Sequence, residues 1–279
     1  MSHLRWIERP DITQPIVICA FEGWNDAGES STEAVRVLQD VWDSVPIAEI
    51  DPERFFDFTT ARPHVIRDED GRRRIEWPAN EFHLARPEGA PPVILLSGVE
   101  PQLAWRTFAE CVVEVCEAVN ARLVLTIGSL LAEVPHTRAT TVFGSTSEDE
   151  VAAALGFEVS RYEGPIGITG VIGDLCARSG RHTAALWAAV PSYMPAAPSP
   201  KAAKALVDKV ADLLSIDPPL TFLDEEIEEY EAQISDLVSE DEETLAYVAH
   251  LEERYDSEAA AESKAEALVT EVEAFLRNL

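Results

Sequence analysis

Ile16-Val17-Ile18-Cys19-Ala20-Phe21-Glu22-Gly23-Trp24-Asn25-Asp26-Ala27-Gly28 is the stretch from which the fold of this chain reads. Residues 16–21 form an unbroken apolar run, the pattern of a strand buried on both faces. Residues 29–42 carry apolar side chains at helical spacing. The octapeptide 21–28 is therefore a strand-to-helix joint, and the carboxyl end of a strand is where open α/β sheets place ligands. It sets a large aromatic, an amide and a carboxylate between two glycines, which makes it the first place to look for function.

Strands and helices alternate outward from the joint. After the helix, residues 55–58 read as a strand, and Val65-Ile66 and Ile75-Trp77 flank Asp70-Gly71 in the pattern of a β-hairpin. Residues 93–96 and 123–127, the latter extended to 131, read as buried strands with a helix over 101–120 between them. This order predicts an α/β fold, a mostly parallel sheet covered by helices. Beyond it, the pattern predicts a polar loop over 135–149, a helix over 150–155, a glycine-spaced run at Gly164, Gly167, Gly170 and Gly173, and a helix over 184–189. Pro191, Pro195, Pro198 and Pro200 form a stiff connector to a helix over 201–214.

Charge divides the chain. It holds 22 basic and 51 acidic residues in 279, a formal net charge of -29. Residues 216–279 contribute 20 acids and 3 bases, which places a boundary near 215–219, between an α/β core over 1–215 and an acidic helical subdomain over 216–279. Within the latter, Leu223, Ile227, Tyr230, Ile234 and Leu237 make one apolar stripe; Leu245, Val248 and Leu251 make a second, and Leu268, Val272 and Phe275 a third. These stripes must bury against each other, the core or another subunit.

The negative charge disfavours nucleic acid and anionic membranes as partners. No run of about 18 apolar residues occurs, and the first ten residues lack the apolar centre of a signal peptide, so a cytoplasmic protein is expected. Cys19, Cys111, Cys116 and Cys176 have no C-x-x-C spacing and sit in apolar surroundings, the pattern of reduced core thiols. No close pair of histidines has ligand spacing, so neither a metal nor a cofactor is expected.

Two clusters could carry chemistry. In the joint, Asp26 or Glu22 could act as a general base with Asn25 as an oriented polar group; alternatively, Asp26 or Asn25 caps the following helix and the glycines permit the turn. Capping leaves Trp24 unexplained, so Trp24 is expected on any binding surface. In Pro135-His136-Thr137-Arg138, His136 and Arg138 could bind an anion or polarise a carbonyl, or His136 could be a hydrogen-bonded loop residue and Arg138 an ion-pair partner. Gly128-Ser129 and Ser97-Gly98 lack the G-x-S-x-G pattern, and no nucleophile triad is apparent. The glycine run matches neither nucleotide nor dinucleotide loops; close backbone approach, or an anion site at the following helix start, would explain it.

Gly23-Trp24-Asn25-Asp26-Ala27-Gly28, Arg62-Pro63, Trp77-Pro78, Ser97-Gly98-Val99-Glu100-Pro101 with Trp105, and Leu130-Leu131-Ala132-Glu133-Val134-Pro135-His136-Thr137-Arg138 together resemble the proteasome assembly chaperone 2 family in its bacterial branch, over residues 16–189. The resemblance implies a phosphorylase/hydrolase-like α/β fold and a homo-oligomer, a trimer being one form, with proteasome subunits as candidate partners. Relatives that dock on proteasome rings often end in a hydrophobic-tyrosine-any tripeptide, whereas this chain ends Arg277-Asn278-Leu279. The expected function is that of a non-enzymatic, assembly-chaperone-like interaction protein. The alternative is a small-molecule binder or hydrolase/phosphorylase-like enzyme that uses the carboxyl-end cleft, with Trp24, Asn25, Asp26, His136 and Arg138 as the contact residues of either reading.

Overall fold

A computed structural model describes residues 3–68 and 70–277, with side chains as far as residue 261. In chain order the elements are β1 (Leu4–Trp6), β2 (Ile16–Glu22), α1 (Ser30–Val41), β3 (Val45–Ile50), β4 (His64–Arg67), β5 (Arg73–Glu76), β6 (Asn80–Ala85), β7 (Val93–Val99) and α2 (Trp105–Ala118). There follow β8 (Leu123–Ala132), β9 (Val142–Thr146), α3 (Asp149–Leu155), β10 (Glu158–Val159), α4 (Ile168–Arg178), β11 (His182–Pro191), α5 (Pro200–Leu214), α6 (Leu223–Ser239) and α7 (Glu242–Arg277). Nine strands form one sheet in the order β1-β3-β6-β7-β2-β8-β11-β9-β10. The expected α/β sheet covered by helices is present: β7, β2, β8 and β11 run parallel at its centre, and β6, β3, β1 and β9 add antiparallel flanks.

The core lies on both faces of this centre. Ile16, Ile18 and Ala20 of β2 face α1 and α5, joining Val35, Leu38, Leu206 and Val207. Val17, Cys19 and Phe21 face the other way, toward Phe108 and Val112 of α2 and Ile168 and Ile172 of α4. Two-sided burial is why β2 is apolar at every position from 16 to 21. All four cysteines are buried free thiols, and burial pushes the Cys19 thiol well above its usual range. Among the described residues no helix is long and apolar enough to cross a membrane.

Four sequence expectations are corrected. Residues 55–58 are not a strand: Asp51 caps the short turn Pro52–Arg54 through the Glu53 N–H, Asp57 accepts from both the N–H and hydroxyl of Thr59, and Phe55 is buried edge-on against Phe108, at 5.3 Å between ring centres. Two aromatic anchors on a turn bury as well as two on a strand. Residues 184–189 are not a helix but the middle of β11. Their alanines favour helix intrinsically, yet a ladder on each side, to β8 and to β9, supplies more. The loop 135–149 holds β9, which a buried neighbour pairs despite its polar sequence. In α6 the buried stripe is Leu223, Tyr230, Ile234 and Val238, with Ile227 half-buried; Leu237 is exposed.

The hairpin at Asp70-Gly71 forms as β4 and β5, a separate two-stranded ribbon. Of the second stripe, Val248 and Leu251 are buried and Leu245 is exposed. The second and third stripes share one helix, α7. The side chains of Leu268, Val272 and Phe275, and the terminal Asn278 and Leu279, lie outside the described residues.

Candidate functional site

The joint after β2 is strapped to β8. Gly23 (φ +130°) and Gly28 (φ +59°) take backbone conformations that favour glycine, and they turn the chain so that Asp26 bridges to Ser129. The Ser129 N–H donates to the Asn25 carbonyl at 2.8 Å, and its hydroxyl to the Ala27 carbonyl at 2.9 Å. Asp26 is buried. Its Oδ1 accepts from the Ser31 N–H (2.8 Å), the Ser31 hydroxyl (2.5 Å) and the Thr32 N–H (3.2 Å), and its Oδ2 from the Thr32 hydroxyl (2.5 Å). The carboxylate thus satisfies the free N–H groups at the start of α1, where a negative charge also meets the positive end of the helix dipole. Glu22 is paired with Arg36 at 2.8 Å.

Asn25 reaches across to α4: its Oδ1 accepts from the Thr169 hydroxyl at 3.0 Å. A side chain on Gly167 would overlap that amide, so the glycine there permits close approach. The N-terminus of α4 is already capped from within, because Glu100 Oε1 accepts from the Ile168 N–H at 2.9 Å. The joint residues are thus tied in, apart from Trp24, which stands 62% exposed at the mouth of an open groove.

The groove has a volume of about 1510 Å³. Its floor is a sheet face: Trp187 and Ala185 of β11 lie opposite Phe143 and Ser145 of β9 in the ladder, and Gly128 of β8 leaves room for the Trp187 ring, which a Cβ would approach to 2.5 Å. Trp24, Leu130, Leu131 and Phe143 line it as exposed apolar side chains, and Val159, Tyr162 and Ile166 continue the same lining. Charged lining is sparse: Glu29, Glu158, Arg161 and the committed Asp26. Sequence reasoning placed Trp24 here but missed Phe143, Tyr162, Ile166 and Trp187. The only local signal was an aromatic between polar and Gly-Pro residues at Tyr162-Glu163-Gly164-Pro165.

His136 and Arg138 lie elsewhere. The buried His136 ring is held between the Tyr193 hydroxyl (2.7 Å from Nδ1) and Ser235 of α6 (3.0 Å from Nε2). The Tyr193 hydroxyl also accepts from the His136 backbone N–H at 2.8 Å, and an uncharged ring meets both hydroxyls with one nitrogen donating and the other accepting. This is neutral imidazole, and burial, then the Lys201 charge, hold its pKa below the usual histidine range. Burial raises Tyr193 to about 12. Arg138 forks onto Asp256 of α7 at 2.8 and 2.9 Å and also meets Glu252, while Arg254 of α7 returns to Glu133 at 3.1 Å. The loop 133–138 is thus the seat of the acidic helices. Ion pairs this exposed are screened by solvent and add little. Burying Tyr230, Ile234, Val238 and Val248 beside Tyr193, at about 1.5–3 kcal/mol per side chain, carries more of the docking.

The comparisons with known proteins decide the family. The model of the PAC2 family matches residues 20–238, which include the joint, the groove and α6. The chain belongs to the PAC2 family. No curated protein matches it. Among solved structures, a Mycobacterium tuberculosis proteasome-assembly chaperone homologue is 40% identical with a TM-score of 0.74, over 84% of this chain and 99% of that one. A PAC2 family protein from Streptomyces avermitilis is 35% identical with a TM-score of 0.77, over 84% and 100%. An archaeal proteasome activator from Pyrococcus furiosus, at 19% identity and a TM-score of 0.70 over 85% and 99%, shares the fold. The α/β fold expected from the sequence is therefore that of solved PAC2 structures.

Proposed function

We propose that this PAC2 protein is a non-enzymatic, assembly-chaperone-like protein of the cytoplasm that holds a partner protein in the groove, with Trp24 at its mouth. Proteasome subunits are the first candidate partners. The observation that carries this reading is the run of exposed apolar side chains along one groove. Contiguous apolar patches on a soluble chain mark interaction surfaces, and aromatic anchors dominate protein interfaces. The volume also favours a polypeptide, since small-molecule pockets span about 300–1,000 Å³. The Mycobacterium relative, a proteasome-assembly chaperone homologue, and the Pyrococcus neighbour, a proteasome activator, support the choice of partner.

The enzymatic alternative has less to work with. Asp26 spends both oxygens on α1, and His136 and Arg138 hold α6 and α7 rather than facing the groove. We further propose that residues 216–279 act as one acidic helical unit seated by His136 and Arg138, and that the chain works as a homo-oligomer.

The test uses purified full-length chain and purified proteasome α-subunits, read by sedimentation. Trp24→Ser combined with Phe143→Ser is expected to weaken binding at least tenfold, the scale of an interface hot spot, with the melting temperature unchanged. Absence of binding by the unaltered chain, or equal binding by the double variant, would overturn the reading.

A further inference from the structure

The β4–β5 hairpin is a two-stranded ribbon outside the main sheet, and such ribbons are marginal in water unless something covers a face. Its ladder pairs Val65 with Ile75 and Arg67 with Arg73. Side chains alternate across a strand, so these four share one face. Val65 is 53% and Ile75 56% exposed. Arg67 and Arg73 are like charges directly opposite, an arrangement that costs stability. Arg67 donates to the Gly71 carbonyl at 2.9 Å, and among the described residues neither arginine has an ion-pair partner. The ribbon's other ion pairs, Arg72 with Asp70 and Arg74 with Glu76, stay within it. An apolar pair beside two arginines is a face suited to an acidic surface with an apolar step.

The same chain carries that surface. The solvent side of α6 presents Glu225 and Glu229 one turn apart, opposite its buried stripe. Phe222, at the helix start, is exposed. Phe222 to Glu225 spans three helical residues, about 5 Å of rise; Val65 to Arg67 spans two strand residues, about 7 Å. Each surface therefore sets an apolar step within one or two side chains of a charged pair, and the two pairs are of opposite charge.

We propose that the β4–β5 hairpin of one copy docks on the outer face of α6 of a second copy, with Arg67 and Arg73 meeting Glu225 and Glu229, and Val65 and Ile75 meeting Phe222. None of these residues lines the groove, so the contact stands whatever the groove binds. Because it is heterologous, each copy offers one hairpin and one helix.

Sedimentation velocity on the full chain tests it. The unaltered chain is expected to associate with itself in a concentration-dependent way. Arg67→Glu with Arg73→Glu, and separately Glu225→Arg with Glu229→Arg, are each expected to weaken self-association at least tenfold. An equimolar mixture of the two variants is expected to associate again, because the unaltered hairpin of one meets the unaltered helix of the other. All four positions are exposed, and an unchanged melting temperature checks folding. A chain that stays monomeric at every concentration, or a mixture no better than its components, would overturn the proposal, the first leaving the face to a different acidic protein.

Discussion

Asp26 and Trp24 stand two residues apart and take opposite fates. Asp26 accepts four hydrogen bonds at the start of α1; Trp24 has most of its side chain in solvent. Replacing Asp26 with alanine removes an N-terminal cap and leaves buried donors unpaired. Given about 1 kcal/mol for a cap and 1–3 kcal/mol for an unsatisfied buried group, Asp26→Ala is expected to cost about 2 kcal/mol in urea unfolding. Trp24→Ala is expected to fall within about 0.5 kcal/mol of the parent, as exposed positions do. Equal effects would mean that Asp26 is not the cap or that Trp24 is not free. The capping reading of Asp26 was open to the sequence because an Asp before a helix has a local partner. That Ser31 and Thr32 would use both of its oxygens depended on the left-handed turn at Glu29, which the side chains do not announce.

The elements that were hard to read are those whose partners are distant in the chain. β11 is alanine-rich and paired on both sides; β9 is polar and paired by β11 and β10. Gly128 and Gly173 show how packing assigns opposite values to one residue type. An alanine at Gly128 would press on the Trp187 ring, whereas at Gly173, inside α4, nothing lies within 4 Å. Gly128→Ala is expected to destabilise by about 1–3 kcal/mol and to shift tryptophan fluorescence as the ring leaves the groove floor. Gly173→Ala is expected to stabilise by about 0.5–1 kcal/mol through helix propensity. Thermal melts of the two variants, moving in opposite directions, are the check.

Across the molecule, the acidic helices rest on a seat that contains a buried neutral histidine. An unfolded histidine titrates near 6.5, and folded His136 titrates lower. Below about 6.5 the unfolded chain therefore binds more protons, so this contribution is fully present above that pH and is lost as pH falls through it. The carboxylate of Asp256, held low by Arg138, responds only at more acidic pH. Between pH 7.5 and 5.5 the melting temperature is expected to fall, and in His136→Gln, which cannot titrate, the slope over this window is expected to flatten. An unaltered slope in the variant would place the pH response elsewhere.

Because apolar periodicity and turn chemistry are written into adjacent residues, local pattern was enough for the strand-joint-helix at 16–42, the hairpin, α2, β8, α5 and the helical character of α6, though not for Leu237. The quoted motifs also carried the family. The roles of His136 and Arg138, the strand identity of 182–191 and the apolar groove around Trp24 arose from contacts between segments far apart in the chain. Burial is a property of those contacts: the same histidine is a candidate catalyst in a loop and a neutral strut once Tyr193 and Ser235 close on it.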